Sequence, residues 1–402
     1  MLKPARAVRS YLRLPAAARD EQRRDRAGLP EFDPGIERAV EEGVNWLCRA
    51  QDNSASQDGG VARDFSLLTG WNASYPETTG YIVPTLLEYA RLRDDEEIRA
   101  RARRMLDWLV SIQFAEGGFQ GGVIGAQPVV PVTFNTGQIL MGLASGVREF
   151  GDEHLDAMRR AADWLVETQD DDGCWRKHAT PFAEPGEKVY ETHVSWGLLE
   201  AARVEPDKGY GEAALKNVRW ALRFQKENGW FDECCLSDPS QPLTHTLGYV
   251  LRGLIEAFLS TNDAGLLDSC RKTADALLGA LDDDGFLPGR FDSSWRGTVH
   301  WACLTGSVQI AYCWLVLYEQ TRETKYRDAA FAANKYVRRT MKVNGPPETR
   351  GAIKGSFPIQ GGYCTYEYPN WACKFFIDSN LFEQRLRAGA AGAAGALNET
   401  GN

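Results

Sequence analysis

The sequence predicts an all-α protein, an (α/α)6 toroid in which six helical hairpins close into an inner and an outer ring. Three observations predict it. One short pattern recurs at a long, nearly fixed period; each copy runs into a glycine-aromatic turn; and each follows a second helix that is apolar almost all round.

The recurring pattern is "WLCRAQ" (Trp46–Gln51), "WLVSIQ" (Trp108–Gln113), "WLVETQ" (Trp164–Gln169) and "WALRFQ" (Trp220–Gln225). "ALLGAL" (Ala276–Leu281) and "YVRRTM" (Tyr336–Met341) continue the frame with eroded residues, and the starts lie 62, 56, 56, 56 and 60 residues apart. A short polar turn follows, then glycine and an aromatic: "GGF" at Gly117–Phe119, "GCW" at Gly173–Trp175, "GWF" at Gly229–Phe231 and "GF" at Gly285–Phe286. The first copy has "DGG" at Asp58–Gly60 and no aromatic there. The residues before each glutamine, as in "HLDAMRRAADWLVETQ", alternate with a period near 3.6 and predict an amphipathic outer helix.

About 25 residues earlier in each unit lie "TTGYIVPTLLEYA", "NTGQILMGLAS", "ETHVSWGLLEAA" and "HTLGYVLRGLIEA". Helices this apolar need cover on both sides. Six such pairs cannot bury their faces singly, and a closed ring does so. The toroid is expected over residues 33–387, with a basic N-terminal arm (1–32) and a low-complexity, disordered tail (388–402).

Bulk properties narrow the function. A net charge of −9 gives nucleic acid no electrostatic footing. No apolar run reaches the length of a membrane span, and mean hydropathy is −0.39. Nine cysteines without CxxC spacing read as reduced thiols, and with no secretory leader visible the expected location is cytoplasmic. The arm carries eight Lys/Arg among residues 1–26 and reads first as a solvated segment, second as a peripheral contact with an anionic membrane.

The repeat, above all "RRAADWLVETQDDDGCW", resembles that of squalene and oxidosqualene cyclases and of protein prenyltransferase β-subunits. The resemblance implies the toroid. It does not imply one activity, because related rings carry terpene cyclisation, prenyl transfer, lanthionine formation, polysaccharide lysis and sugar epimerisation. The ending "KGSFPIQGGYCTYEYPNWACKFFIDS" is similar to that of toroids associated with bacterial polysaccharide synthesis.

In such a ring the loops entering the inner helices line a central cavity. Aligning those entries gives acid/base candidates Glu77, Glu191, His193, His245 and His300. Arg296 and Lys374 are candidate carboxylate binders, Asn135 a hydrogen-bonding candidate, and Trp71, Tyr81, Trp196, Tyr249, Trp301, Tyr366 and Trp371 candidate stacking walls. Aromatic faces with carboxylates and imidazoles suit a sugar, whose C–H faces stack while its hydroxyls take hydrogen bonds. The leading expectation is therefore acid/base chemistry on a uronate-containing or polysaccharide-linked sugar, as lyase, epimerase or hydrolase. A small-molecule or oligosaccharide substrate is expected, and neither metal nor cofactor.

Two alternatives stay open, a terpenoid or prenyl-binding enzyme and a non-catalytic ring that binds a glycan or protein. Against the first, neither DxDD nor DDxxD occurs, and Cys234, Cys235, His245, His300 and Cys303 lack zinc-ligand spacing. Asp170, Asp171 and Asp172 occupy a turn that holds "FAE" and "KEN" in sister copies, so they read as a solvated turn.

Overall fold

The computed structural model describes Tyr11 and residues 13–399, with side chains to Gly389. A short helix α1 (Ala16–Arg26) precedes the ring. The outer helices are α2 (Ile36–Asp52), α4 (Glu96–Ser111), α6 (Leu155–Glu167), α8 (Tyr210–Leu222), α10 (Ala264–Leu278) and α12 (Thr324–Thr340). The inner ones are α3 (Pro76–Arg93), α5 (Thr133–Phe150), α7 (Thr192–Val204), α9 (Thr244–Thr261), α11 (Leu304–Thr321) and α13 (Asn370–Glu399). Each inner helix packs on the next around the ring, α13 returning to α3, so the fold is an (α/α)6 toroid. Five hairpins are consecutive in sequence; the sixth pairs the first outer helix, α2, with the last inner helix, α13.

The repeat signature is a clamp between neighbouring hairpins. The side-chain amide of Gln113 donates to Gly117 O of its own turn and to Ala157 O of the next outer helix, at 2.8 and 3.0 Å. Gln169 does the same with Gly173 O and Ala213 O. The glycine is required twice over: Gly173 has φ +96°, and a Cβ there would stand 2.5 Å from Lys216 O. Asp170 and Asp172 lie on this outer turn, paired with Arg176. The inner helices approach through glycine as well, since a Cβ on Gly142 or Gly197 would come within 2.3 Å of the carbonyl of Gly80 or Gly137.

Two small sheets brace the mouth of the ring. β1 (Asp64–Ser66) pairs antiparallel with β2 (Gly70–Trp71) and β5 (Glu367–Pro369), and β3 (Ala302–Cys303) pairs with β4 (Ser356–Phe357).

The ends differ from expectation. Residues 1–10 and 12 lie outside the described residues, but α1 is no solvated arm. Its Glu21 and Asp25 are buried and both pair with the buried Lys354, and Asp25 also accepts from the backbone N–H of Ile359. Acidic side chains of an otherwise basic helix thus answer a lysine the ring cannot satisfy by itself. At the other end the backbone of α13 continues through residues 388–399, where a disordered tail was expected; residues 400–402 lie outside the described residues. Among the described residues no helix is long and apolar enough to cross a membrane.

Candidate active site

The entries of the inner helices converge on a cavity of about 470 Å³. Its wall includes Glu77 on α3, Phe134 and Asn135 on α5, Tyr190 just before α7, His245 and Tyr249 on α9, and Trp371 on α13. Thr79 and Thr136, one turn into α3 and α5, anchor the preceding loops by accepting from the N–H of Val61 and Phe119 at 3.0 Å each. Loop residues, among them Arg63, Tyr75, Phe182 and Tyr363, form the rest of the wall together with Thr246 of α9.

One carboxyl and one imidazole face this space. Tyr75 donates its hydroxyl to Glu77 Oε2 at 2.6 Å, and burial raises the Glu77 carboxyl to about 7, against the opposing pull of Tyr75 and Arg63. His245 Nδ1 lies 2.7 Å from Gln309 Oε1. With that amide oxygen as acceptor, Nδ1 carries the proton and Nε2 keeps its lone pair. Burial lowers this imidazole to about 4, so it is neutral at physiological pH. Tyr249 and Tyr363 flank it, with ring centroids 4.3 and 5.5 Å away. Trp371 donates to the Tyr363 hydroxyl at 2.8 Å and stands edge-on to Tyr75.

Of the residues singled out by sequence, Glu77, Asn135, His245, Tyr249 and Trp371 line the cavity. His193 does not: it is fully buried beside Tyr249, with Nδ1 2.5 Å from Gln138 Oε1 and Nε2 lacking a partner. Tyr81 and Lys374 are buried outside the lining, Lys374 held by Asp378 at 2.5 Å and lying over the Phe375 ring. Trp196 packs its face on Arg252, whose guanidinium carbon is 3.9 Å from the ring centroid. Glu191 is buried beside Cys174, its carboxyl raised to about 8 by burial.

Five further candidates lie away from the cavity wall. Trp71 packs on Trp46 and Phe65, and Tyr366 bonds Gln22 of α1. Trp301 wedges against Gly289, Gly361 and Gly362. Arg296 and His300 are exposed, Arg296 paired with Asp292. These last three fall outside because the fifth entry is longer than its sisters: β3 intervenes and α11 begins only at Leu304, so aligning "WRGTVHW" placed the helix start too early.

Sequence reasoning missed Arg63, which immediately precedes β1 in the loop entering α3. Its Nη1 donates to Asp64 and, at 3.1 Å, to Glu367, and its guanidinium carbon lies 5.2 Å from the centroid of Trp371. A charged residue beside the "DGG" turn was the available signal. Among the described residues no cluster of three His, Cys, Asp or Glu is arranged to hold a metal ion, and the nine cysteines are unpaired.

Residues 129–254, from the loop before α5 into α9, match the family model of the squalene-hopene cyclase C-terminal domain. Solved structures extend the likeness to nearly the whole ring. An unsaturated glucuronyl hydrolase specific for heparin superposes with a TM-score of 0.71 at 16% identity, over 88% of this chain and 98% of its own. A D-mannose isomerase gives 0.70 at 11%, over 89% and 100%. Cellobiose 2-epimerase from Bacillus thermoamylovorans B4167 gives 0.66 at 13%, over 86% and 99%. At these identities the likeness shows the shared toroid. No curated protein matches the sequence.

Proposed function

We propose that this chain is a carbohydrate-active enzyme that moves protons on a sugar, with His245 as base and Glu77, backed by Tyr75, as acid. The observation that carries the reading is the pairing of a neutral imidazole with a carboxyl near 7 in one aromatic-walled cavity of about 470 Å³. That volume falls in the range of sites that enclose small molecules. The toroids it superposes on include proteins named for glucuronyl hydrolysis, mannose isomerisation and cellobiose epimerisation.

His245 Nε2 would take the proton from a carbon next to a carbonyl or carboxyl group, and protonated Glu77 would give one to the oxygen as the enediol forms. Return of a proton to carbon and of the hydroxyl proton to Glu77 completes an epimerisation or isomerisation; loss of a β-substituent instead gives elimination. Hydrolysis through paired carboxylates is less well supported, because Glu77 is the one carboxylate among the described lining residues. The nine free thiols fit the reducing cytoplasm, and the polysaccharide-type ending fits a role in polysaccharide biosynthesis.

The test is proton NMR in deuterated water with aldoses, disaccharides and uronates. Exchange of the C–H next to the carbonyl or carboxyl, lost in His245→Ala, supports the reading; exchange that persists in that variant sinks it. The match at residues 129–254 and the aromatic wall favour a second reading, an isoprenoid substrate. Conversion of a prenyl diphosphate with no sugar exchange would establish that one instead.

A further inference from the structure

The cavity wall contains one cation, and its charge is already spent. Arg63 is the sole Lys or Arg among the described lining residues. Its guanidinium is bound to Asp64 and Glu367, so the cluster carries at most zero net charge, whichever protonation state Asp64 adopts. The remaining cations near the ring axis are held elsewhere. Lys374 is buried and locked to Asp378, and Arg252 is paired with Glu256 at 2.7 Å and sandwiched between Trp196 and Tyr312. Arg296 is out on its loop.

We infer that the site takes an uncharged sugar, and that Glu367 and Asp64 are the residues that set this preference. The inference rests on the carbohydrate reading and narrows it. An anion touching a guanidinium at about 4 Å gains what two carboxylates at about 8 Å take away. Glu367 sits 3.1 Å from Nη1, and Asp64 is closer still, so an anion within about 4 Å of Nη1 lies inside that distance of both carboxylate oxygens, and the balance holds when both are ionised. Glu77 adds a further negative charge as pH rises through about 7. Sugar hydroxyls meet no such penalty. They can accept from the guanidinium, whose charge Asp64 and Glu367 already answer. Such a substrate offers proton abstraction beside an aldehyde or ketone and not beside a carboxylate.

Calorimetric titration of the full chain with cellobiose and with the matching disaccharide bearing a carboxylate in place of one CH2OH reads the preference directly. The neutral sugar should bind at least about tenfold more tightly. Glu367→Gln should shift the ratio of the two dissociation constants toward the uronate by about tenfold, and Asp64→Asn should shift it the same way. Circular dichroism confirms that each variant is folded, and either variant suffices if the other is not. A wild-type protein that binds the uronate as tightly as the neutral sugar overturns the inference while leaving the carbohydrate reading standing. So does an unmoved ratio in a folded variant. Binding of neither sugar alongside binding of a prenyl diphosphate removes the carbohydrate reading, and the inference with it.

Discussion

The two ends of each repeat differ in how closely they repeat. At the outer turns, successive units make the same bonds: glutamine to glycine carbonyl, glutamine to the next outer helix, glycine against a neighbouring backbone. At the inner-helix entries, the units present Glu77, Phe134, Tyr190, His245 and Trp371 to the cavity, five different side chains. Regularity marks the end that holds the ring together, and irregularity marks the end available for chemistry. A ring can reuse one joint at successive seams, whereas a cavity needs each wall to offer something different.

The division can be broken first at His245. Its replacement by Ala should cut turnover on an identified substrate by about 10³-fold with little change in melting temperature. Parallel loss of fold and activity would erase the distinction between the two ends. Glu77→Gln should cost about 10²-fold and alter the pH profile. With His245 free of its proton above about 4 and Glu77 keeping its proton up to about 7, kcat/KM should rise through the first value and fall through the second. The variant should lose the falling limb; its survival would remove Glu77 from the acid role.

At the other end, Gly173→Ala should lower stability by about 3 kcal/mol, read by denaturant melts, because positive φ and the Lys216 carbonyl both oppose a side chain. The folded fraction should keep its turnover. Gln309→Leu should cost about tenfold in kcat/KM, since the His245 ring loses the acceptor that fixes its tautomer. Gln309→Glu should move the rising limb upward from about 4, a change that a purely structural role would not produce. Changing Asp170, Asp171 and Asp172 together to Asn should alter turnover less than about twofold, given their exposed outer position and surface ion pairs.

The contrast also explains which parts of the molecule were legible in the sequence. The Trp-Leu-x3-Gln frame recurs in four units because the clamp recurs, and its period announced the remaining two outer helices and the ring they build. Entry positions could be found by counting back from shared inner-helix residues, which placed Glu77, Asn135, His245, Tyr249 and Trp371 on the cavity wall. Counting gives a position along a helix and not the direction in which it faces. His193 immediately follows the α7 entry yet turns onto Gln138, and Lys374 lies one turn below Trp371 and meets Asp378. Arg63 was invisible for the opposite reason. It stands beside β1, and its partner Glu367 comes from β5 in the last unit, so no internal copy could reveal the pair.

The sixth hairpin joins helices from the two ends of the ring, and Cys373 reaches back to the carbonyl of Gly43 across 330 residues. At about 5–20 residues per second, a nascent chain would carry an unpartnered α2 for on the order of half a minute before α13 is made. Until then the ring cannot close. The same late segment delivers Tyr363, Trp371 and Glu367. The cavity is thus finished in the act that seals the ring, and no truncated product can carry a complete site.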